Sequence, residues 1–394
     1  MTSEFDTDQK QVPVHVEEDY QKHLLSTIDE MYPKYKQKRV LRELEKQRIV
    51  RLRKTKVQSV DDTAIDLSEI EEGEQLSKGI ESGNIAVFRL FEKDEFLKSY
   101  KYAAIFNVST TNHSIFKQLQ ESGLVQDFFS QDYSYDHLYE GVDYKDIKPT
   151  IYTVGNVTLI KFSRLLNGFT PGTGEKKQIK YPILGVYFKH LGILEVRFDN
   201  AKAYFHDNEY FYHKQVAFVL SWLEKYAGFE IEDINLTSII NYINKQEQDE
   251  VNVYSQAMSL PSGGKAVLEA GQNENYTLPL IGELKELMKT NEELFEASPK
   301  IKELLETFIS ETEAKSDLPW ISLIWKGQSK EKDKGIHVKF KHNYMNQGYT
   351  LLHYHGLQSD MEKMNYVTEY INEYRRKLEG TFGDGEIREA AVTI

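Results

Sequence analysis

The stretch IYTVGNVTLIKF, residues 151–162, holds two runs of β-branched, aromatic and aliphatic residues on either side of Gly155 and Asn156. A turn-forming pair between two such runs is typical of a tight connection between antiparallel strands. The sequence therefore predicts a β-hairpin with strands at 151–154 and 157–162.

The residues after this hairpin extend the same pattern. Two more strands are predicted at 181–188 and 193–198, on either side of a turn at Leu191 and Gly192. A long helix is predicted at 200–226, because its apolar residues recur at helical spacing. The first block of the chain thus predicts an antiparallel meander followed by one helix.

A second block near the C-terminus has the same plan. Strands are predicted at 320–326, 335–342 and 349–355, and a helix with regularly spaced apolar residues at 360–379. We therefore predict an α+β protein of mainly antiparallel β-meanders, each followed by a long helix, with a helical arm at the N-terminus.

The rest of the chain is assigned by composition and pattern. Strands are also predicted at 85–91 and 102–108. A helix is predicted from Lys34, with an apolar stripe too narrow for a core helix and suited to a partner or a polyanion. The predicted segments are a disordered tail at 1–16, a charged helical arm at 17–76, an α+β domain at 84–246, a connector at 247–279, and helices, a three-stranded meander and a helix at 280–394.

Composition sets the class of protein that is expected. The 394 residues include no cysteine, which excludes disulfides, thiolate metal sites and a cysteine nucleophile. No apolar run approaches the roughly 20 residues of a membrane span, and the polar, acidic N-terminus does not resemble a signal peptide. We expect a cytoplasmic protein of bacterial type that does not act at a membrane.

Charge is distributed very unevenly along the chain. The net charge is −13, yet residues 34–56 carry eleven Lys or Arg against two Glu, a local net of +9. Seven acidic residues follow within 61–74, with no base among them. The basic stretch therefore contacts nucleic-acid phosphates, or is neutralised by acids of the protein or of a partner, or is a solvated surface like the acidic run. The predicted phosphate contacts are Lys38, Arg39, Arg42, Arg48, Arg51, Arg53 and Lys54.

A second basic surface is predicted on the C-terminal meander. In the run 336–341 the apolar residues alternate with His337, Lys339 and Lys341, so the basic residues share one strand face. His353 and His355 are two residues apart on the next strand and therefore also share a face. This ridge is a candidate surface for a nucleic-acid backbone. As an alternative, His337, His353 and His355 could bind a metal ion.

A weaker catalytic alternative comes from the run ILEVRFDN, residues 193–200. Glu195, Arg197 and Asp199 imitate the acidic and basic residues of metal-dependent nucleases, in which two acids hold Mg²⁺. Arginine replaces the usual lysine and stays protonated. A plain strand with Glu195 and Arg197 facing outward explains the run better.

These observations favour a non-catalytic nucleic-acid-binding or scaffolding subunit of a multiprotein complex or homo-oligomer, without a cofactor. The alternatives are a metal-dependent nuclease subunit and a protein–protein adaptor whose basic arm docks on acidic surfaces.

Overall fold

The computed structural model describes residues 18–53, 63–110, 112, 114–135, 138, 147–246, 250–259, 265–269, 279–315, 317–326, 335–356 and 361–383. The predicted tail at 1–16 lies outside these residues. Helices and a mixed set of strands together confirm the α+β class. The chain forms two compact units, each built from three separate stretches. The first comprises Met1–Lys98, Asn112–Gly185 and Asp199–Ala227, and the second Ser99–Thr111, Val186–Phe198 and Gly228–Ile394.

The helices of the described residues are numbered in chain order. They are α1 (Glu18–Met31), α2 (Lys34–Lys46), α3 (Gln75–Glu81), α4 (Ile85–Leu97), α5 (Ile115–Glu121), α6 (Phe211–Trp222), α7 (Leu236–Gln246), α8 (Pro279–Thr290), α9 (Glu292–Glu296), α10 (Pro299–Lys315) and α11 (Glu362–Gly383).

The strands of the described residues are numbered in the same way. They are β1 (Val50–Arg51), β2 (Ile65–Asp66), β3 (Tyr102–Ser109), β4 (Gln126–Asp127), β5 (Thr150–Val154), β6 (Val157–Phe169), β7 (Lys176–Phe188), β8 (Ile193–Phe198), β9 (Glu230–Asp233), β10 (Val251–Ser259), β11 (Lys265–Glu269), β12 (Asp317–Trp325), β13 (Ile336–Lys341) and β14 (Leu351–His355).

The predicted hairpin at 151–162 is confirmed in the first unit. Strands β5 and β6 pair antiparallel with Val154 opposite Val157, so Gly155 and Asn156 form a two-residue turn. Gly155 has a φ of 58°, a left-handed conformation that glycine adopts without a steric cost. Along this sheet the order is β7-β6-β5-β4, and β4 is parallel to β5.

The strand predicted at 85–91 is wrong, because these residues form the first half of helix α4. The side chain of Asn84 caps the helix by accepting a hydrogen bond of 2.8 Å from the backbone N–H of Ala86. Helix α4 is buried on most of its sides, including Val87, Phe88 and Phe91. A short apolar run buried on all sides lacks the periodicity that separates a helix from a buried strand.

Helix α2 forms as predicted, but it is a core element of the first unit. Its three apolar residues Val40, Leu41 and Leu44 are 3%, 4% and 0% exposed. They pack where α2 meets α3 and α4. Three fully buried side chains are thus enough to anchor a helix whose remaining surface is charged.

A fully buried ionic cluster lies between α4 and the strands β6 and β7. Lys161 and Lys180 donate to Glu95 over 2.8 and 2.6 Å, and both also donate to Glu92. Tyr133 donates to Glu92 over 2.6 Å, and Tyr20 of α1 donates to the same carboxylate. Burial raises the pKa of Glu92, but the two ammonium groups outweigh it and hold that pKa well below its usual range.

The second unit is organised around a sheet of order β11-β10-β12-β13-β14-β3-β8, with β9 paired to β3. Neighbouring strands of this sheet pair antiparallel. The three predicted C-terminal strands correspond to β12, β13 and β14, and the predicted final helix to α11. Helix α11 packs on one face of this sheet, where Tyr370 meets Trp325 edge to face at 6.0 Å.

Two further predictions differ from the structure. The helix predicted from 200 begins only at Phe211, because Ala203–Phe205 form a separate 3₁₀ turn and residues 206–210 are not helical. The connector predicted at 247–279 contains the strands β10 and β11, and the polar Asn252, Ser255 and Gln256 of β10 hide its alternation.

No helix among the described residues is long and apolar enough to cross a membrane.

Candidate nucleic-acid interface

The basic stretch is held by acids of its own chain. Lys38 forms an ion pair of 2.8 Å with Glu72, and Arg51 one of 3.3 Å with Asp66. Strands β1 and β2 pair in parallel and place Arg51 opposite Asp66. The acidic segment therefore folds back on the basic one, as one of the predicted alternatives requires.

The remaining cations of this stretch differ in exposure. Arg39 donates to Asp94 of α4 over 2.7 Å and is half-buried. Arg42, Arg48 and Arg53 are exposed, and Arg42 lies close enough to Glu72 to lower the pKa of that carboxyl further than Lys38 does alone. Lys54 lies outside the described residues. The arm thus presents a few exposed arginines beside acids.

The suggested nuclease pair is divided between the two units and engaged in other contacts. Asp199 belongs to the first unit and accepts a hydrogen bond of 2.7 Å from Lys98, a lysine that is 2% exposed. Glu195 belongs to the second unit and is 0% exposed. The expectation that Glu195 and Arg197 face outward is wrong.

Both of these residues lie under helix α11. Arg197 donates to Glu195 over 2.5 Å and to Asn365 over 2.8 Å, while Thr368 donates to Glu195 over 2.7 Å. A carboxylate enclosed in this way serves the packing of α11, since neither its oxygens nor the arginine reach solvent.

The opposite face of the same sheet carries a continuous row of rings. Tyr254, His337, His355, His353 and Tyr102 contact one another in that order, with ring centres 4.5, 4.6, 4.1 and 4.7 Å apart. They come from four strands, β10, β13, β14 and β3. Tyr254 is 44% exposed, and the other four are half-buried.

Strand register explains this row. His337 lies opposite His355, and His353 lies opposite Tyr102, so each pair shares one face of the sheet. Between β10 and β13 runs β12, where the small Ser322 leaves Tyr254 room to reach His337. A hydrogen bond of 2.7 Å joins Ser322 Oγ to His337 Nε2.

Three lysines accompany the rings. Lys339 lies opposite His353, and its ammonium nitrogen is 3.4 Å from the centre of the Trp320 ring. Lys341 lies opposite Trp320 in the register of β12 and β13, and Lys101 directly precedes β3. We call this surface the histidine face, defined by Lys101, Tyr102, Tyr254, Trp320, His337, Lys339, Lys341, His353 and His355.

The charges on the histidine face are of one sign, and the pKa values reflect this. Burial, His355 and the three lysines lower the pKa of His353 to about 3. Burial, His337 and the same lysines lower the pKa of His355 to about 4. Burial followed by Lys101 and Lys339 also lowers the pKa of His337. The face is therefore a set of ammonium groups around neutral imidazoles, which favours an anionic ligand.

The imidazoles are not arranged as a metal site. No group of three or more His, Asp or Glu positioned to hold a metal ion occurs in the part of the chain that the structure describes. His337 and His355 stack with an angle of 26° between their ring planes, so their nitrogens do not converge on one point.

Sequence reasoning identified five members of this face and missed four. His337, Lys339, Lys341, His353 and His355 were predicted from their alternation along two strands. Strand pairing supplies the others, Lys101, Tyr102, Tyr254 and Trp320. An exposed tyrosine on β10 and a lysine–tyrosine pair at the start of β3 carry no local signal that would link them to the C-terminal meander.

Comparisons with protein-family models and with curated proteins find no match to this chain.

Proposed function

We propose that this chain binds the sugar–phosphate backbone of nucleic acid through the histidine face of its second unit. The observation that carries the proposal is the joint presence of Lys101, Lys339 and Lys341 around a row of rings on one sheet face. The ionisable neighbours that shift the pKa values of the three histidines are lysines and other imidazoles. Such a surface attracts phosphates locally although the whole chain is acidic.

Ring geometry favours contacts with phosphates over contacts with bases. Neighbouring rings 4.6 or 4.7 Å apart with planes 26° or 27° apart turn their faces toward each other. Their edges, which carry N–H and O–H donors, are what remains for a ligand. A base would need an open ring face for stacking, and Tyr254 at the end of the row is the most exposed of the five. We therefore expect little sequence preference.

The basic arm is the weaker of the two predicted surfaces. Lys38, Arg39 and Arg51 are each paired with a carboxylate of the chain, and releasing them for phosphates would leave Glu72, Asp94 and Asp66 without their partners. Two of these pairs have exposed carboxylates, and an ion pair of that kind contributes little to stability. Binding through the arm would therefore exchange one set of ion pairs for another, with a slightly smaller net gain.

The test is fluorescence anisotropy with labelled single- and double-stranded DNA and RNA across a range of salt concentrations. A variant with Lys339→Ala and Lys341→Ala is compared with a matched variant carrying Arg42→Ala and Arg48→Ala, which removes the same charge from the arm. We expect the first variant to bind more weakly and to lower the slope of log K against log salt by about 1.4 for single strands. The arm variant should bind like the unmodified protein.

Two results would overturn the proposal. One is a loss of binding in the arm variant while the Lys339/Lys341 variant is unaffected. The other is a competition in which polyglutamate displaces the labelled oligonucleotide better than unlabelled DNA does at the same concentration of negative charges. That result would indicate an acidic protein as the ligand.

A further inference from the structure

We infer that the histidine face binds phosphate groups with uptake of protons by His337, His353 and His355, so that binding strengthens as the solution becomes more acidic. This inference rests on the proposed function and specifies how its site responds to the ligand.

The three imidazoles form one contiguous group. His355 contacts both others, with ring centres 4.6 Å from His337 and 4.1 Å from His353. His353 Nε2 is buried and has no hydrogen-bond partner among the residues that the structure describes. The group therefore contains a nitrogen that is enclosed by the face and not used by the fold.

The surroundings of the imidazoles come from four strands. They are Lys101 and Tyr102 of the β3 region, Tyr254 of β10, Trp320 and Ser322 of β12, and Lys339 and Lys341 of β13. Tyr344 lies near Tyr102. In the free protein partial burial, followed by the neighbouring imidazoles and lysines, lowers the pKa of His353 to about 3 and of His355 to about 4, so both are neutral at pH 7.

A bound phosphate reverses this balance. Its negative charge offsets the lysines and lies within reach of imidazole donors, and an opposite charge within about 4–6 Å favours the protonated form. The pKa of at least one imidazole then rises toward the ordinary histidine value of about 6.5. Because adjacent imidazolium ions repel each other at these ring distances, we expect about one proton per bound site near pH 6.

The consequence is a linkage between pH and affinity. If a group binds a proton more tightly in the complex than in the free protein, lowering the pH favours the complex. Binding by lysines of ordinary pKa would be insensitive to pH between 7.5 and 5.5, since such lysines stay protonated over that range. Burial lowers the pKa of Lys341, so proton uptake that survives without the imidazoles would point to this lysine.

The experiment is isothermal titration calorimetry of the full chain with an oligothymidylate, whose thymines and phosphodiesters do not titrate in this range. Titrations at pH 6 in two phosphate-free buffers of different ionisation enthalpy give the number of protons taken up. Affinities at pH 7.5 and 5.5 are measured at constant ionic strength. We expect uptake of about one proton and an affinity about tenfold higher at pH 5.5.

Variants separate the imidazoles from the other groups that titrate. The single variant His355→Asn and the triple variant His337→Asn, His353→Asn, His355→Asn should lose most of the proton uptake and most of the tenfold gain in affinity between pH 7.5 and 5.5. The control is His190→Asn, at the exposed turn between β7 and β8. Circular dichroism checks that each variant is folded.

The possible failures are distinguishable. Binding that is equally tight at both pH values and takes up no proton would contradict this inference and leave the proposed function intact. Proton uptake that survives in the triple variant would also contradict it. Absence of binding at either pH would contradict the proposed function itself.

Discussion

The ammonium nitrogen of Lys339 lies 3.4 Å from the centre of the Trp320 ring, on the sheet face opposite to helix α11. Trp320 is half-buried, whereas the other two tryptophans, Trp222 and Trp325, are 0% and 1% exposed. Trp320 is thus the tryptophan whose surroundings a ligand on the histidine face would change.

Intrinsic fluorescence should therefore report binding. We expect the emission of the protein to change when an oligonucleotide is added, because phosphates that attract Lys339 alter the contact of its ammonium with the indole. The change should be absent in a Trp320→Phe variant and present in a Trp325→Phe variant. An equal change in both variants would place the ligand elsewhere.

The neutral histidines make the free protein sensitive to mild acid. In the unfolded chain an imidazole takes up a proton below about pH 6.5, whereas His353 in the folded protein does so only near pH 3. The unfolded state binds more protons between these values, so stability is full above pH 6.5 and decreases as the pH falls toward 4.

Urea unfolding at several pH values measures this loss. A His353→Asn variant should lose less stability than the unmodified protein between pH 6.5 and 4.5, while His190→Asn should behave like the unmodified protein. This pH window lies above the range in which protonation of Glu92 lowers the stability of the folded protein. The lowered pKa of Glu92 contributes stability that is present above the unfolded value of about 4.3 and is lost as the pH falls below it.

The buried ionic cluster of the first unit should be costly to disrupt one residue at a time. Replacing Lys180 by Met leaves Glu92 and Glu95 with one ammonium partner in a fully buried site. We expect a loss of about 3–5 kcal/mol in the free energy of unfolding. Chemical denaturation measures it.

Two matched variants complete this prediction. Lys214→Met breaks the exposed pair with Asp207 and should cost under about 1 kcal/mol. Adding Glu92→Gln to Lys180→Met should cost less than the sum of the two single changes, because the second change removes a charge that the first left unpaired. Additive losses would show that the cluster does not act as one unit.

Truncation is a poor test of the basic arm. Removing residues 1–60 would delete Leu24 and Leu44, both 0% exposed, together with the hydroxyl of Tyr20 that donates to Glu92. We expect such a truncated chain to lose the folded first unit, visible as reduced helix content in circular dichroism. If it retained the full helix content and a cooperative thermal transition, helices α1 and α2 would not belong to the core.

The parts of the fold that were predicted correctly have strong local signals. The turn at Gly155 and Asn156 and the alternation at 336–341 are visible in the sequence, and each fixes a strand and its face. Residues 85–91 were misassigned because a buried apolar run has the same sequence pattern in a helix as in a strand.

The candidate site was only half predictable for a different reason. Strand β14 pairs with β3, about 250 residues earlier in the chain, and this pairing brings Tyr102 beside His353. The prediction that Glu195 faces solvent was wrong because β8 is buried on both faces. Helix α11 covers the face that carries Glu195, and its packing there cannot be read from the strand sequence. The two units were also not predictable, because each is built from three separate stretches and no change in composition along the chain marks where one unit ends.

Photochemical cross-linking tests the central claim most directly. A single-stranded oligonucleotide carrying a photoreactive aryl azide on a phosphorothioate of its backbone is bound to the full chain at low salt and irradiated, and the modified peptides are identified by mass spectrometry. The account predicts adducts at Tyr102, Tyr254, Trp320, His353 or His355, which high salt abolishes. Adducts confined to residues 34–53, or none on the histidine face despite measurable binding, would contradict it.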